Sequence, residues 1–179
     1  MRKLSMAMVL LVVVGLLSGC SALSLISGQR GMDPIDPNQE PEEFTAVLYF
    51  SDDQAMYVWP ELRTVVAGEE ALPNLLIEEL IAGPTEEGLS ITIPAETKLL
   101  GVLVEDGVAY VDFSQEIVRK HWGGSAGELI TIASVVNTLT ELPEIDAVQF
   151  LIEGEVQESI WGHATTSEPI PRMEEMIGE

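Results

Sequence analysis

The sequence predicts an α+β domain, a mixed β-sheet with two helices on one face, in the order ββα followed by ββαβ. Three observations predict it. Asp106-Gly107 stands between two runs rich in β-branched and aromatic residues, residues 99–105 and 108–113, and this dipeptide is a type I′ hairpin signal. Two stretches carry apolar residues at helical spacing, residues 69–82 and 126–139. Each of these follows a pair of strand-like segments, so strands paired by hairpins alternate with helices. The arrangement reads as a loose internal duplication.

The elements follow in order. Residues 44–50 (FTAVLYF) are a strand by their aromatic and β-branched content. Ser51-Asp52-Asp53 turns the chain, and residues 56–66 return as a second extended segment. Pro60 within it suggests an edge or a bend, because proline cannot donate to a ladder. In the first helix, Glu69 and Glu70 suit the first turn and Pro73 is tolerated there. Leu72, Leu75, Leu76 and Leu80 share a face, and Gly83-Pro84 ends the helix. In the second helix, Ser125 and Glu128 have the spacing of a capping box. Its expected buried face is Leu129, Ile132, Ala133, Val136 and Leu139. Pro143 marks its end. Residues 148–152 (VQFLI) form a last strand, and Glu153-Gly154 turns after it. Residues 162–179 show little periodicity and read as a surface tail, with the domain proper ending near residue 171 and 172–179 beyond it.

Ahead of this domain lies an address. The chain has 179 residues, and Arg2 and Lys3 precede an apolar run over residues 4–16. A charged start followed by a short apolar run is the layout of a secretory signal peptide, and the run is shorter than the ~20 residues a spanning helix needs. It leads into Leu17-Ser18-Gly19-Cys20, which matches the bacterial lipobox. Residues 1–19 are thus expected to be removed, with Cys20 acylated as the mature N-terminus. Each buried methylene adds about 0.8 kcal/mol of membrane affinity, so two or three acyl chains anchor firmly. Residues 20–43 mix proline, glycine and acids without apolar periodicity and read as a disordered tether.

Cys20 is the single cysteine, so no intramolecular disulfide and no multi-cysteine zinc site is available. The chain carries 30 acidic and 8 basic residues, a formal charge of −22. Without Arg2 and Lys3 the balance is 30 to 6, or −24. Such a surface repels phosphate backbones and argues against nucleic acid as a partner.

Catalytic chemistry is sparse. Gly123-Gly124-Ser125-Ala126-Gly127 matches the G-x-S-x-G elbow, but that turn needs an apolar strand running straight into it. Residues 115–122 (QEIVRKHW) do not supply one. A triad of Ser125, His163 and Asp112 is therefore disfavoured against a capping role for Ser125. His121 and His163 lack metal-ligand spacing, no calcium-loop motif is present, and Asp52 and Asp53 read as a solvated acidic turn. No catalytic residue, metal or cofactor is expected. Tyr57, Trp59, His121, Trp122 and Trp161 fall in turns or at strand ends, whereas Tyr110 and Phe113 are assigned to core packing. His121, Trp122 and Trp161 form the candidate binding patch, for a protein or a glycan. The alternative reading is that they cover the edge of the core.

Eight stretches together resemble a known family: residues 47–50 (VLYF), 62–65 (LRTV), 80–84 (LIAGP), 93–100 (IPAETKLL), 104–114 (VEDGVAYVDFS), 124–128 (GSAGE), 138–143 (TLTELP) and 148–154 (VQFLIEG). In this order and spacing they resemble the GerMN domain, named from a sporulation and spore germination protein. The resemblance spans residues 44–171. It implies an anchored, extracytoplasmic and non-enzymatic interaction module. Its partners would be envelope or sporulation proteins, with a homo-oligomer implied by similarity to ring-building modules. The membrane would be reached through the lipid on Cys20. The family brings no catalytic residues to carry over, and this chain has room for one copy where some members carry two.

Overall fold

The computed structural model describes residues 42–67 and 71–178. The expected signal segment, Cys20 and almost all of the expected tether lie outside the described residues. The elements are β1 (Glu42–Ser51), β2 (Val58–Ala67), α1 (Leu72–Ala82), β3 (Leu99–Glu105), β4 (Val108–Phe113), α2 (Glu116–Arg119), α3 (Ser125–Leu139), β5 (Ala147–Ile152), β6 (Glu155–Val156) and β7 (Ile170–Pro171), followed by a 3-10 turn over Glu174–Met176. The α+β class and the expected order stand, with α2 and the short C-terminal elements added.

The strands divide into two sheets. β1 and β2 form an antiparallel hairpin of their own, while β3, β4, β5 and β6 run in that order in a mixed sheet, with β7 on β5. β4 and β5 are parallel, Val108 opposite Ala147 through Phe113 opposite Ile152, so α3 is the crossover helix between them. At the tip of the β3–β4 hairpin, Asp106 and Gly107 take φ of 50° and 81°, the left-handed pair that a type I′ turn demands. Gly107 is needed there for a second reason. A Cβ would come within 2.6 Å of the Asp146 carboxylate, in the segment that docks its backbone on Gly107.

At Tyr49 the outer edge of β1 is closed by α3. Tyr49 and Pro60 are a pair that exchanges no ladder hydrogen bonds, as alternate pairs of an antiparallel ladder are, so the N–H and C=O of Tyr49 face away from β2 and Pro60 is tolerated opposite. Hydroxyls of α3 meet them: Tyr49 N–H donates to Thr138 Oγ1 at 3.0 Å, and Ser134 Oγ donates to Tyr49 O at 2.6 Å. Two residues along, Ser51 accepts from Ser90 N–H through its carbonyl. A helix therefore borders β1 where a further strand would otherwise pair.

Both faces of β1 are occupied. Ala46, Leu48 and Phe50 join the main core with Leu76, Leu80, Phe113, Val136 and Phe150. Tyr49 enters a second cluster with Val58, Ile130 and Ala133. Phe113 and Phe150 pack with ring centroids 6.3 Å apart. Burial of one such side chain contributes about 1.5–3 kcal/mol.

Several expectations are corrected. α3 begins at Ser125 with Gly124 as its N-cap, and no side chain caps it. Glu128 is turned into the protein instead, with no exposed side-chain surface. The buried side of α3 includes Ile130 and Val135, whereas Leu129 is 38% exposed. The helix is covered over most of its circumference, so an amphipathic stripe understates its burial. Tyr110 lies on the outer side of β4 rather than in the core, as alternation requires once Ala109, Val111 and Phe113 point inward.

Residues 162–178 are no loose tail. Ile170 pairs with Val148. Asn137 holds Met173 by both its N–H and its C=O. Arg172 donates to the carbonyl of Asn137 near the end of α3, and Gly178 N–H donates to Val58 O. The contacts are all long-range and the paired runs are two residues long, so no local periodicity announces them.

Candidate functional site

The three residues of the candidate patch come together. The His121 ring lies between the two indoles, 4.8 Å from Trp122 at an interplanar angle of 20° and 4.6 Å from Trp161 at 34°. His121 is fixed through both ring nitrogens. Gly123 N–H donates to Nδ1, which makes Nε2 the protonated nitrogen and the donor to Thr131 Oγ1 at 3.0 Å. Thr131 Oγ1 then donates to the carbonyl of Thr92 at 2.6 Å. Burial holds the imidazole below the usual histidine value, although the nearby Glu128 carboxylate pulls the other way. It is therefore neutral at pH 7.

Each indole has its own support. Trp122 lies on α3 because residue 127 is glycine: a Cβ there would be 2.7 Å from Nε1. Trp161 Nε1 donates to Ile117 O at 3.1 Å, tying the loop after β6 to α2. The same loop is anchored by Glu128, whose carboxylate accepts from the N–H groups of His163 and Ala164 and from His163 Nδ1 at 2.9 Å. Glu128 escaped the sequence reading because the capping-box spacing assigned it elsewhere.

The outcome is a stack with one open end. Trp122 remains 48% exposed. Beside it runs a groove of about 210 Å³ whose walls include Asp52, Asp53, Ser90, Ile91 and Gly127. Asp52 uses Oδ1 to accept the N–H of Met56 and so shapes the turn. A second depression, of about 370 Å³, lies on the outer side of the mixed sheet, among Leu100, Leu103, Tyr110 and Leu151.

The triad that Ser125 would need is not assembled. His163 is engaged by Glu128, and Asp112 accepts the N–H of Gly154 at 2.9 Å. Among the described residues, no three His, Cys, Asp or Glu side chains are grouped closely enough to hold a metal ion, and no helix is long and apolar enough to cross a membrane.

Two sheets and three helices in the order ββα–ββαβ define an α+β domain. The chain belongs to the Germane family, described as sporulation and spore germination, whose model matches residues 47–158. No curated protein sequence matches it. Among solved structures, a Clostridium perfringens chain described as a candidate lipoprotein is 25% identical, covering 73% of this chain and 87% of its own length at a TM-score of 0.53. The tandem GerMN domains of the sporulation protein GerM from Bacillus subtilis are 23% identical at a TM-score of 0.62. That match covers 73% of this chain and 46% of the tandem, so this chain spans about half of that protein. The first GerMN domain alone is 22% identical over 74% of this chain and 98% of its own, at 0.57. The two Bacillus structures establish likeness of fold.

Proposed function

We propose that the protein is a non-enzymatic lipoprotein, held at the outer face of the cytoplasmic membrane by the acylated Cys20, whose GerMN-type domain binds envelope proteins during sporulation or spore germination. The observation that carries this reading is membership of the sporulation and germination family across residues 47–158. The lipobox at residues 17–20 and the lipoprotein description of the Clostridium structure support the anchor. The Trp122–His121–Trp161 stack supports binding, because a rigid exposed indole adds contact area with little side-chain entropy left to lose.

The test is crosslinking of the tagged, lipidated chain in sporulating and in growing cells. A stoichiometric protein partner or a self-ladder confined to sporulating cells is expected, and capture of no protein in either state overturns the reading. A Cys20→Ala chain is expected to fold and to leave the membrane fraction. The second reading, a binder of peptidoglycan fragments, is favoured by the exposed face of Trp122 beside a groove that Asp52, Asp53 and Ser90 help to line. It requires the emission of Trp122 to change on titration with muropeptides, and a flat titration removes it.

A further inference from the structure

A cleft of about 430 Å³ forms where the C-terminal segment meets the start of β2, lined by Tyr57, Trp59, Glu174, Glu175, Ile177 and Gly178. Strand alternation places Tyr57 and Trp59 on the same side of the chain, because Val58 between them is fully buried on the other. The opposite wall is brought in from more than a hundred residues away. Ile177 bridges to Val58 in parallel, and Gly178 N–H donates to Val58 O at 2.9 Å. The backbone at Gly178 lies directly on Trp59, since a Cβ there would overlap the indole ring. The wall is fixed further back by the double hydrogen bond of Asn137 to Met173.

The two carboxylates are not equivalent. Glu174 pairs with Arg172 Nε at 2.7 Å. Glu175 takes part in none of the ion pairs among the described residues. The cleft thus offers two aromatic rings and an uncommitted carboxylate, and no cation lines it. Flat π surfaces with a nearby carboxylate select a planar or compact cation over an anion or a neutral polar group. Glu174, Glu175 and Gly178 also lie beyond residue 158, where the family match ends. The acidic half of the cleft therefore lies outside the stretch that the family model matches.

We propose that this cleft binds the cationic side chain of an arginine or lysine presented by a partner protein. The inference rests on the reading of the domain as a protein-binding module and specifies the chemistry of the residue recognised. It can be tested without the partner. The chain has three tryptophans, hence three indole N–H resonances, assignable by single Trp→Phe variants. The full chain in detergent is titrated with N-acetyl-arginine amide and, in parallel, with the citrulline amide, which keeps the shape and lacks the charge.

The expected result is a saturable shift of the Trp59 resonance with the arginine amide only, while Trp122 and Trp161 stay in place. Glu175→Gln is expected to weaken the titration about tenfold, the scale of one charged hydrogen bond, with the remaining spectrum unchanged. No Trp59 shift, an equal response to citrulline, or an unaltered titration in Glu175→Gln overturns the proposal. None of those failures touches the crosslinking test in sporulating cells, so the two readings fall separately.

Discussion

The carboxylate of Glu128, on the first turn of α3, stands 2.9 Å from Nδ1 of His163 and accepts the backbone N–H of His163 and of Ala164 as well. A buried acid on the central helix thereby fixes the loop that carries Trp161. Glu128→Ala leaves those donors without their acceptor, which costs about 1–3 kcal/mol. The urea midpoint is expected to fall accordingly, and Trp161 emission is expected to shift to the red as its loop loosens.

Gly127→Ala tests the seat of Trp122. The added methyl occupies the space of the indole Nε1. The ring is expected to leave its place against His121, with a change in near-UV circular dichroism and little change in the far-UV spectrum. Glycine within a helix is less favourable than alanine by about 1 kcal/mol. Stability is therefore expected to hold or rise while the stack is lost.

Thr138→Val removes the acceptor for the Tyr49 N–H. The shape is kept and a buried donor is orphaned, at about 1–3 kcal/mol. Hydrogen exchange at Tyr49 is expected to accelerate well ahead of exchange in β4 and β5.

Acidification acts on the stack through His121. Burial sets its folded value below the unfolded one, so the unfolded chain binds more protons and stability rises with pH. The contribution is complete above the unfolded value of about 6.5 and is lost as the pH falls through the lower folded value. Urea midpoints between pH 8 and pH 5 are expected to show this decline. His121→Phe is expected to flatten it.

A second acid-sensitive site is Glu61, buried at the centre of the hairpin. Burial works to raise its value, but the N–H of Glu86, the Arg63 guanidinium and the N–H of Thr85 together hold it below the usual carboxylate range. Its stabilisation is present above the unfolded carboxyl value and lost as the pH falls through the lower folded one. Glu61→Gln is expected to lower stability at pH 7 by about 3 kcal/mol or more, since it leaves Arg63 short of a buried partner. The difference from the parent is expected to shrink toward pH 3.

What was legible in the sequence divides by range. The turn and the bounds of the β3–β4 hairpin were legible, because Asp106-Gly107 encodes the turn locally, but the outward face of Tyr110 and the register shift between Leu99 and Gly101 were not. Helix α3 was legible from its periodicity, though Leu129 and Ile130 were exchanged between exposed and buried sides because most of its circumference is covered. The capping box was a local pattern overruled by a distant demand, since Glu128 is drawn inward by residues 163 and 164. The C-terminal segment was illegible for the opposite reason: its pairings run to Val148, Asn137 and Val58 and leave no periodic trace. Of His121, Trp122 and Trp161, only Trp122 is exposed, while His121 is half-buried and Trp161 packs against the edge of the core, the alternative that the sequence reading kept. Their stacking was not legible, since it depends on Glu128 and on the missing Cβ of Gly127.

The hydroxyls of Ser134 and Thr138 that meet the backbone of Tyr49 have a consequence for assembly. A bare strand edge invites any extended peptide to add to it, with little regard for sequence. Here that invitation is withdrawn at Tyr49 by side chains of the same molecule. At this edge the domain cannot grow by strand donation, and swapping of β1 between copies would first have to displace a helix. Recognition there is left to side chains, which discriminate between neighbours where a naked backbone does not.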